Sequence, residues 1–215
     1  MITEKAGNTL VIRDCGLAHY RELLQLQHWL QEKRRQGEIT DTVLVVEHTP
    51  AITLGARQSA NRLLADRDEL AQRKIDVVQI RRGGGTTAHN PGQLVFYPIL
   101  HLRDLNLGIS GYVRELETIG IELLEQLGVC GRRRKGFPGL WVGDRKIASI
   151  GVRVSKSVTC HGMAINIRND LSIFDLLIPC GLDGVEMTSV LRETGMLHPM
   201  RQVKMMLAEL LKNHF

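Results

Sequence analysis

Three stretches of the chain concentrate residue types that can do chemistry. The densest is Arg82-Gly83-Gly84-Gly85-Thr86-Thr87-Ala88-His89-Asn90-Pro91-Gly92-Gln93. Three successive glycines open backbone angles closed to other residues and let a ligand come close to the main chain, whose N–H groups can hold an anion or an oxyanion. A ligand loop and a purely structural glycine turn both remain open, and the flanking Arg82 and His89 favour the ligand. Gly83 to Ala88 can be written as G-x-G-x-x-A, yet a dinucleotide fingerprint must open a helix, and Pro91-Gly92 stand where its first turns would lie. A phosphate-gripping P-loop fails as well, because no Gly-Lys-Ser/Thr follows.

The second stretch is Lys146-Ile147-Ala148-Ser149-Ile150-Gly151. On a strand, alternation turns Lys146 and Ala148 one way and Ile147 and Ser149 the other. A lysine at a strand start is commonly a solvated edge charge, so a chemical role for Lys146 depends on what it meets in space. The third stretch is Ile178-Pro179-Cys180-Gly181-Leu182. A cysteine between proline and glycine sits on a turn, where its sulfur is either buried or presented to a cleft. Free thiols titrate near about 8.5, so such a sulfur becomes a nucleophile only beside a cation or base. Lys146, His89 and His161 are the available suppliers. His161 heads a further run, His161-Gly162-Met163-Ala164-Ile165-Asn166, and taken alone reads as a structural histidine.

The remaining chemistry is narrowed by what is missing. The four cysteines, Cys15, Cys130, Cys160 and Cys180, form no C-x-x-C pair and have no histidine at metal-ligand spacing, so neither a metal site nor a disulfide framework is expected. There is no G-x-S-x-G elbow and no H-E-x-x-H. A formal charge of +5 favours an acidic partner. Nucleic acid is not expected, since aromatics make up only 4% of the chain and stacking platforms are scarce. An acidic carrier protein suits the charge as well. The basic run Arg132 to Lys135 reads either as a docking surface or as a solvated loop.

These residues must be positioned by a globular scaffold. The chain has 215 residues, 43% hydrophobic and 24% charged, with every apolar run short, which suits a single domain over 1–215 with a sizeable core and no membrane span. Met1 to Leu10 carries Glu4, Lys5 and Asn8 and no apolar stretch, so a cytoplasmic location is expected. Strands are predicted at Thr9–Arg13, Val43–Val46, Ala51–Leu54, Ile75–Ile80, Leu94–Leu100 and Cys160–Ile167, with Pro98 marking an edge or a strand end. Leu140–Val142 and Lys146–Val154 flank Gly143-Asp144-Arg145 as a hairpin. Helices are predicted from Tyr20 to near Gly37, over Asp66–Lys74, from Ser110 as N-cap to Gly128 as the residue after the C-cap, and from Pro199 to Phe215. Leu171–Leu177 is ambiguous. Strands outnumber helices without alternating with them, so the fold class expected is α/β of the α+β type, a mixed sheet with packed helices.

Arg82-Gly-Gly-Gly-Thr-Thr with His89, then Pro91-Gly92-Gln93-Leu94-Val95 and Tyr97-Pro98, resembles the signature of lipoyl(octanoyl) transferases, in the biotin/lipoate ligase-like superfamily. Glu47-His48-Thr49-Pro50, Gly139-Leu140-Trp141-Val142, the Lys146 run, the His161 run and the Cys180 turn match in family order over residues 10 to 195. The resemblance implies a biotin/lipoate ligase-like fold and transfer of an octanoyl group from octanoyl-acyl carrier protein to a lysine of a lipoyl domain, in 2-oxoacid dehydrogenases or the glycine cleavage H protein. It implies an acylated Cys180 with Lys146 as its partner. It also implies an acyl site lined by Arg82, Gly83, Gly84, Gly85, Thr86, Thr87, Ala88, His89, Ser149, Ile150, Gly151, Gly162, Met163 and Ala164. No cofactor, nucleic acid or membrane is implied, because a thioester already carries the activation energy. The family usually reads Thr-Tyr-His-Gly-Pro-Gly-Gln where this chain has Thr87-Ala88-His89-Asn90-Pro91-Gly92-Gln93, which leads us to expect a shifted acyl-chain preference. The rivals are an ATP-dependent lipoate ligase on the same fold, which needs no cysteine, and a non-catalytic module binding acyl carriers or nucleic acid.

Overall fold

The structure, a computed structural model, describes residues 10–215, the side chain of Cys180 excepted. Thr9 of the first expected strand, and all but the last residue of the Met1 to Leu10 segment, lie outside the described residues. In chain order the elements are β1 (Val11–Ala18), α1 (Tyr20–Arg35), β2 (Thr42–His48), β3 (Ala51–Leu54), α2 (Arg67–Gln72), β4 (Asp76–Gln79), β5 (Thr87–His89), β6 (Gln93–Ile99) and α3 (Ile109–Gln126). Then follow β7 (Arg132–Arg134), β8 (Phe137–Val142), β9 (Arg145–Ser155), β10 (Val158–Asn166), α4 (Val190–Thr194) and α5 (Met200–His214). Short 3₁₀ turns cover Gln58–Ala60, Leu171–Leu176 and Pro179–Gly181.

Seven strands form the main sheet in the order β1-β2-β6-β10-β9-β8-β7, parallel between β1 and β2 and antiparallel elsewhere. Both faces are covered, which explains why β2 reads as a continuous apolar run. Val43, Val45, Leu94 and Phe96 join the core under α3 and α5, whereas Leu44, Val46, Val95 and Tyr97 join the one under α1. Helix α1 buries Tyr20, Leu23, Gln27, Leu30, Gln31 and Arg34, one stripe at helical spacing, and ends on Lys33, Arg34 and Arg35, where cations complement the dipole. Helix α3 stops as predicted at Gly128, whose φ of +80° lets Gly128 and Val129 donate to the Glu125 and Leu124 carbonyls. A smaller sheet, β4-β3-β5, packs with α2 and the 171–176 turn around a third core.

Several expectations need correction. Strand β6 is interior, lying between β2 and β10, so Pro98 marks the strand's end and not an edge. The tertiary reason is that the β6 ladder with β10 stops at Phe96, and the Thr159 hydroxyl then donates to the Pro98 carbonyl at 2.6 Å. The N-cap of α3 is Gly108, with Ser110 already inside the first turn. Pro199 is the N-cap of α5, and Val203, Leu207 and Leu211 complete the core beneath α3. Strand β1 runs to Ala18, five residues past the expected Arg13.

The end of α5 is tied to α3 by His214, whose Nδ1 and Nε2 lie 3.1 Å from Glu115 and 3.1 Å from Glu122. Burial alone would depress this imidazole, but hydrogen bonds to the Glu122 and Glu115 carboxylates outweigh it and raise the pKa. A raised folded-state pKa gives stability that is complete below the unfolded value of about 6.5 and is lost as pH climbs through the folded value. The carboxylates are partly exposed, so screening limits the effect to about 0.5–1 kcal/mol. Urea unfolding at pH 6 and pH 8 should show wild type losing that much, and His214→Gln should lose none of it; equal losses in both proteins would exclude the clasp.

Candidate active site

Two adjoining chambers lie between the main sheet and the small one. The inner chamber is walled by Tyr20 of α1, Thr87 and His89 of β5, Val95 and Tyr97 of β6, Ser149 of β9 and Met163 and Ala164 of β10. The outer chamber, about 250 Å³, holds Lys146 together with Arg57, Val113, Phe137, Pro138 and Leu182. Gly84, Ile150 and Gly151 line both, so the chambers share a wall.

The glycine loop is fixed before any ligand arrives. Arg82 is buried, its guanidinium donating to the Thr53 hydroxyl at 2.7 Å, the Thr53 carbonyl at 3.1 Å and the Gly83 carbonyl at 3.0 Å. Gly83 donates to Val152 of β9, and Arg57 donates to the Gly84 carbonyl. The Thr86 hydroxyl accepts from the Arg62 amide at 3.0 Å. Gly85 and Gly181 both press on Ala60: a Cβ would come within 2.3 Å of its carbonyl oxygen from Gly85 and within 2.7 Å of its Cβ from Gly181. The loop and the Cys180 turn are thus seated on the same residue, which requires both glycines.

At the inner end sits a cluster of rings. His48 lies 5.0 Å from Tyr20 and 5.6 Å from His89 between ring centroids. Its Nδ1 faces the Ala18 carbonyl at 3.1 Å, an acceptor only, so Nδ1 carries the proton and Nε2 accepts from the Tyr97 hydroxyl at 2.7 Å. Similarly, the Gln93 amide nitrogen is used on Ala88 and Asn166, so its oxygen accepts from His89 Nδ1 at 2.8 Å. Burial holds His48 down to about 4 and His161 down to about 3, and burial followed by the nearby His48 pushes His89 well below the ordinary range. All three imidazoles are therefore neutral at neutral pH and supply no cation to a thiolate.

Lys146 differs. It is the second residue of β9, which lies between β10 and β8, and it is 2% exposed, so the expectation of a solvated edge charge is corrected. A register shift between β8 and β9 sets Trp141 opposite Lys146 and Leu140 opposite Ala148, leaving Ile147 as the extra residue of a bulge. Strict alternation gives way there: Lys146, Ile147 and Ala148 are all buried. Nζ donates to the Pro138 carbonyl at 3.0 Å and lies 5.1 Å from the centroid of the Trp141 ring. Gly139 leaves room for this side chain, since a Cβ there would come within 3.0 Å of Lys146 Cε and 2.3 Å of the Ala148 carbonyl.

Cys180 occupies the 3₁₀ turn Pro179–Gly181, which packs against β5 and the 58–60 turn. Leu182, two residues on, lines the chamber that holds Lys146. The chain then runs alongside the start of β9: the Lys146 amide donates to the Glu186 carbonyl at 2.8 Å, and the Lys146 carbonyl accepts from Thr188 at 2.9 Å. The segment that leaves the Cys180 turn is thus bonded to Lys146's own backbone.

Residues 19–212 match the lipoyl protein ligase A/B catalytic domain. The chain is 42% identical to an octanoyltransferase of Desulfovibrio desulfuricans over 85% of this chain and 76% of that one. It is 40% identical to a mitochondrial octanoyltransferase of Arabidopsis thaliana over 93% of this chain and 85% of that one. This chain belongs to the octanoyltransferases of the lipoyl protein ligase A/B family. It is accordingly an acyltransferase of protein lipoylation. The fold is shared more widely. A lipoate-protein ligase A solved with ATP superposes with a TM-score of 0.73 at 16% identity, over 95% of this chain and 84% of that one. A biotin protein ligase from Aquifex aeolicus gives 0.52 at 13% identity, over 95% of this chain and 68% of that one.

The octanoyltransferase resemblance singled out fourteen acyl-site positions, and the fold sorts them. Arg82, Gly84, Thr87, His89 and the segments Ser149–Gly151 and Gly162–Ala164 meet in the inner chamber, and Gly83 faces the outer one. Gly85 and Thr86 line neither chamber and serve the seat on Ala60 and Arg62. Ala88 is the correction: on β5 it alternates with Thr87 and His89, and its side chain is wholly buried in the third core with Ile52, Ile173 and Phe174. Asn90 likewise stays outside the chambers, its side chain joining the Asp170 carbonyl and Asn169. In the sequence Tyr20 stands only as the start of a helix and His48 only as part of a family match; the signal for Tyr20 is an aromatic at the first turn of the buried face of α1. Ala88→Tyr should therefore overpack the third core and cost about 1–3 kcal/mol, without the change in acyl-chain preference that the motif departure leads us to expect. Urea unfolding together with assays on carrier-bound acyl groups of increasing length checks this; a changed length profile at unchanged stability would restore Ala88 to the acyl site.

Proposed function

We propose that this octanoyltransferase works through a thioester acyl-enzyme on Cys180, with Lys146 as proton acceptor and donor, in one catalytic domain spanning 1–215. The observation that carries the reading is the outer chamber, where Lys146 and the chain leaving the Cys180 turn face one space that adjoins the inner chamber. The Cys180 thiol gives its proton to the neutral Lys146 amine, leaving a thiolate and an ammonium. The sulfur attacks the carbonyl carbon of the donor thioester, and backbone N–H groups of the glycine loop or the Cys180 turn hold the oxyanion. The tetrahedral intermediate collapses with cleavage of the donor C–S bond, and the Lys146 ammonium returns the proton to the leaving thiolate. A neutral acceptor lysine then attacks the Cys180 thioester, Lys146 takes the amine's proton, and the amide forms as the Cys180 thiolate leaves.

The acyl chain would run from the outer chamber, about 250 Å³, toward the inner one, which has only about 30 Å³ of free space and is lined by neutral imidazoles and Ile150, Met163 and Ala164. Octanoyl-acyl carrier protein is the proposed donor, lipoyl domains of 2-oxoacid dehydrogenases or the glycine cleavage H protein the acceptors, and the cytoplasm the location. Among the described residues no helix is long and apolar enough to cross a membrane. Brief incubation with octanoyl carrier protein without ATP should place one acyl group on Cys180 by mass spectrometry, and Cys180→Ala should abolish it. Lys146→Ala should slow transfer about 10²–10⁴-fold. A strict ATP requirement would favour the ligase reading, and acylation persisting in Cys180→Ala would remove the nucleophile assignment.

The basic run divides in the fold. Arg133 is held by Glu117 and Thr118, while Arg134 faces Asp144 and stacks over Phe137 and Trp141. Arg132 and Lys135 are exposed on the edge beside Gly136 and Phe137 of the outer chamber, placed to steer an acidic carrier. Replacing both by Gln should flatten the fall of association rate with salt; an unchanged salt slope would return the run to a solvated edge.

A further inference from the structure

We propose that Glu117 of α3, charge-balanced by Arg133 of β7, is the positioning residue that sets the orientation and charge state of Lys146, acting through the single peptide group between Pro138 and Gly139. The inference rests on the reading of Lys146 as the proton acceptor. Glu117 is buried, and one carboxylate oxygen accepts from the Gly139 N–H at 3.2 Å. The other accepts from Arg133 Nε at 3.1 Å. The carbonyl of the same peptide, that of Pro138, accepts from Lys146 Nζ at 3.0 Å. A trans peptide directs its N–H and C=O to opposite sides, so this unit links a buried carboxylate on one side to the lysine on the other.

Such a chain is polarised along its length. The carboxylate draws the N–H, the carbonyl oxygen gains negative charge, and the hydrogen bond from an ammonium strengthens. The unit is also pinned from the neighbouring residue, because the Trp141 indole N–H donates to the Phe137 carbonyl at 3.2 Å. Arg133 is anchored in turn by Thr118 at 2.6 Å and by the Arg114 carbonyl at 3.1 Å. The Glu117 carboxylate thus turns one oxygen to a backbone amide and the other to the partly exposed Arg133. Its placement is accounted for by what lies at the far end of that peptide.

Other charges face Lys146 and remain constant in the comparison. Arg57 lines the same chamber, and Arg134 lies 4.9 Å from the centroid of the Trp141 ring that Lys146 also faces. Arg145 beside it is paired with Glu193, and Glu186, whose carbonyl binds the Lys146 amide, is paired with Arg192. The Cys180 thiol is the remaining titratable group of the proposed site.

Glu117→Gln keeps an oxygen for the Gly139 N–H and deletes the charge, so it tests polarisation apart from shape. Lys146 can be followed by ¹³Cε chemical shift in lysine-labelled full-length protein, its resonance assigned by its loss in Lys146→Arg. Glu117→Gln should lower the Lys146 titration midpoint by about 0.5–1 unit and move the acid limb of the kcat/KM profile the same way. Arg133→Gln, which leaves the carboxylate uncompensated, should raise the midpoint, and it keeps the test open should Glu117→Gln fold poorly. Opposite shifts are beyond a merely structural role, which would lower activity at every pH without moving the titration. Midpoints equal to wild type in both variants overturn the proposal whatever the activity of Lys146→Ala. Full transfer by Lys146→Ala overturns the proton-acceptor reading whatever the titrations show.

Discussion

An ammonium group in a protein interior must be given partners, because the cost of stripping its hydration exceeds what apolar contacts return. Lys146 sits under that constraint, and much of the surrounding structure answers it. The Pro138 carbonyl accepts a hydrogen bond from its Nζ, the Trp141 ring offers a π face, and Gly139 leaves the space that any side chain would fill. The bulge in β9 breaks the alternation that would otherwise govern which side of the sheet each residue meets. The stretch that pairs with the Lys146 backbone is the one that leaves the Cys180 turn, so holding the lysine and placing the cysteine are a single structural act.

The second chamber follows a complementary rule. Tyr20, His48, His89 and Tyr97 are packed rings at its inner end, and their polar atoms are engaged within the protein: His48 with the Ala18 carbonyl and the Tyr97 hydroxyl, His89 with Gln93. Burial keeps the imidazoles neutral, so they add no positive charge to the inner chamber. Arg82 is itself committed to Thr53 and Gly83, so it tightens the loop more than it offers charge to a ligand. Rigid glycine contacts at Ala60 then bring the loop and the Cys180 turn to a fixed separation, the preorganisation that acyl transfer needs.

The main sheet is the frame for both. With α1 on one face and α3 and α5 on the other, β6, β9 and β10 are fixed in register, and the paired Gly151 and Gly162 beside the inner chamber let Arg82 and the Phe96 carbonyl approach where a Cβ would clash. Helix α3 belongs to the core and, through Glu117, also holds the Pro138–Gly139 peptide to which Lys146 donates.

What the sequence determined by itself is what depends on near neighbours and on local chemistry. The covered strand Val43–Val46, the Gly128 helix stop, the Gly143-Asp144-Arg145 hairpin and the ordered motif blocks were all legible, because periodicity, glycine's left-handed backbone and turn chemistry act within a few residues. The tertiary structure alone decided which face of a strand meets which space. Alternation separates Ala88 from Thr87 and His89 but does not say that Ala88 takes the core and its neighbours the chamber. The same holds for Pro98 on an interior strand, whose carbonyl is satisfied by a hydroxyl sixty-one residues away. Lys146 reads as a surface charge until the Pro138 carbonyl, Trp141 and the returning 186–188 segment are assembled around it, since the free energy of a buried charge is set by partners distant in the chain.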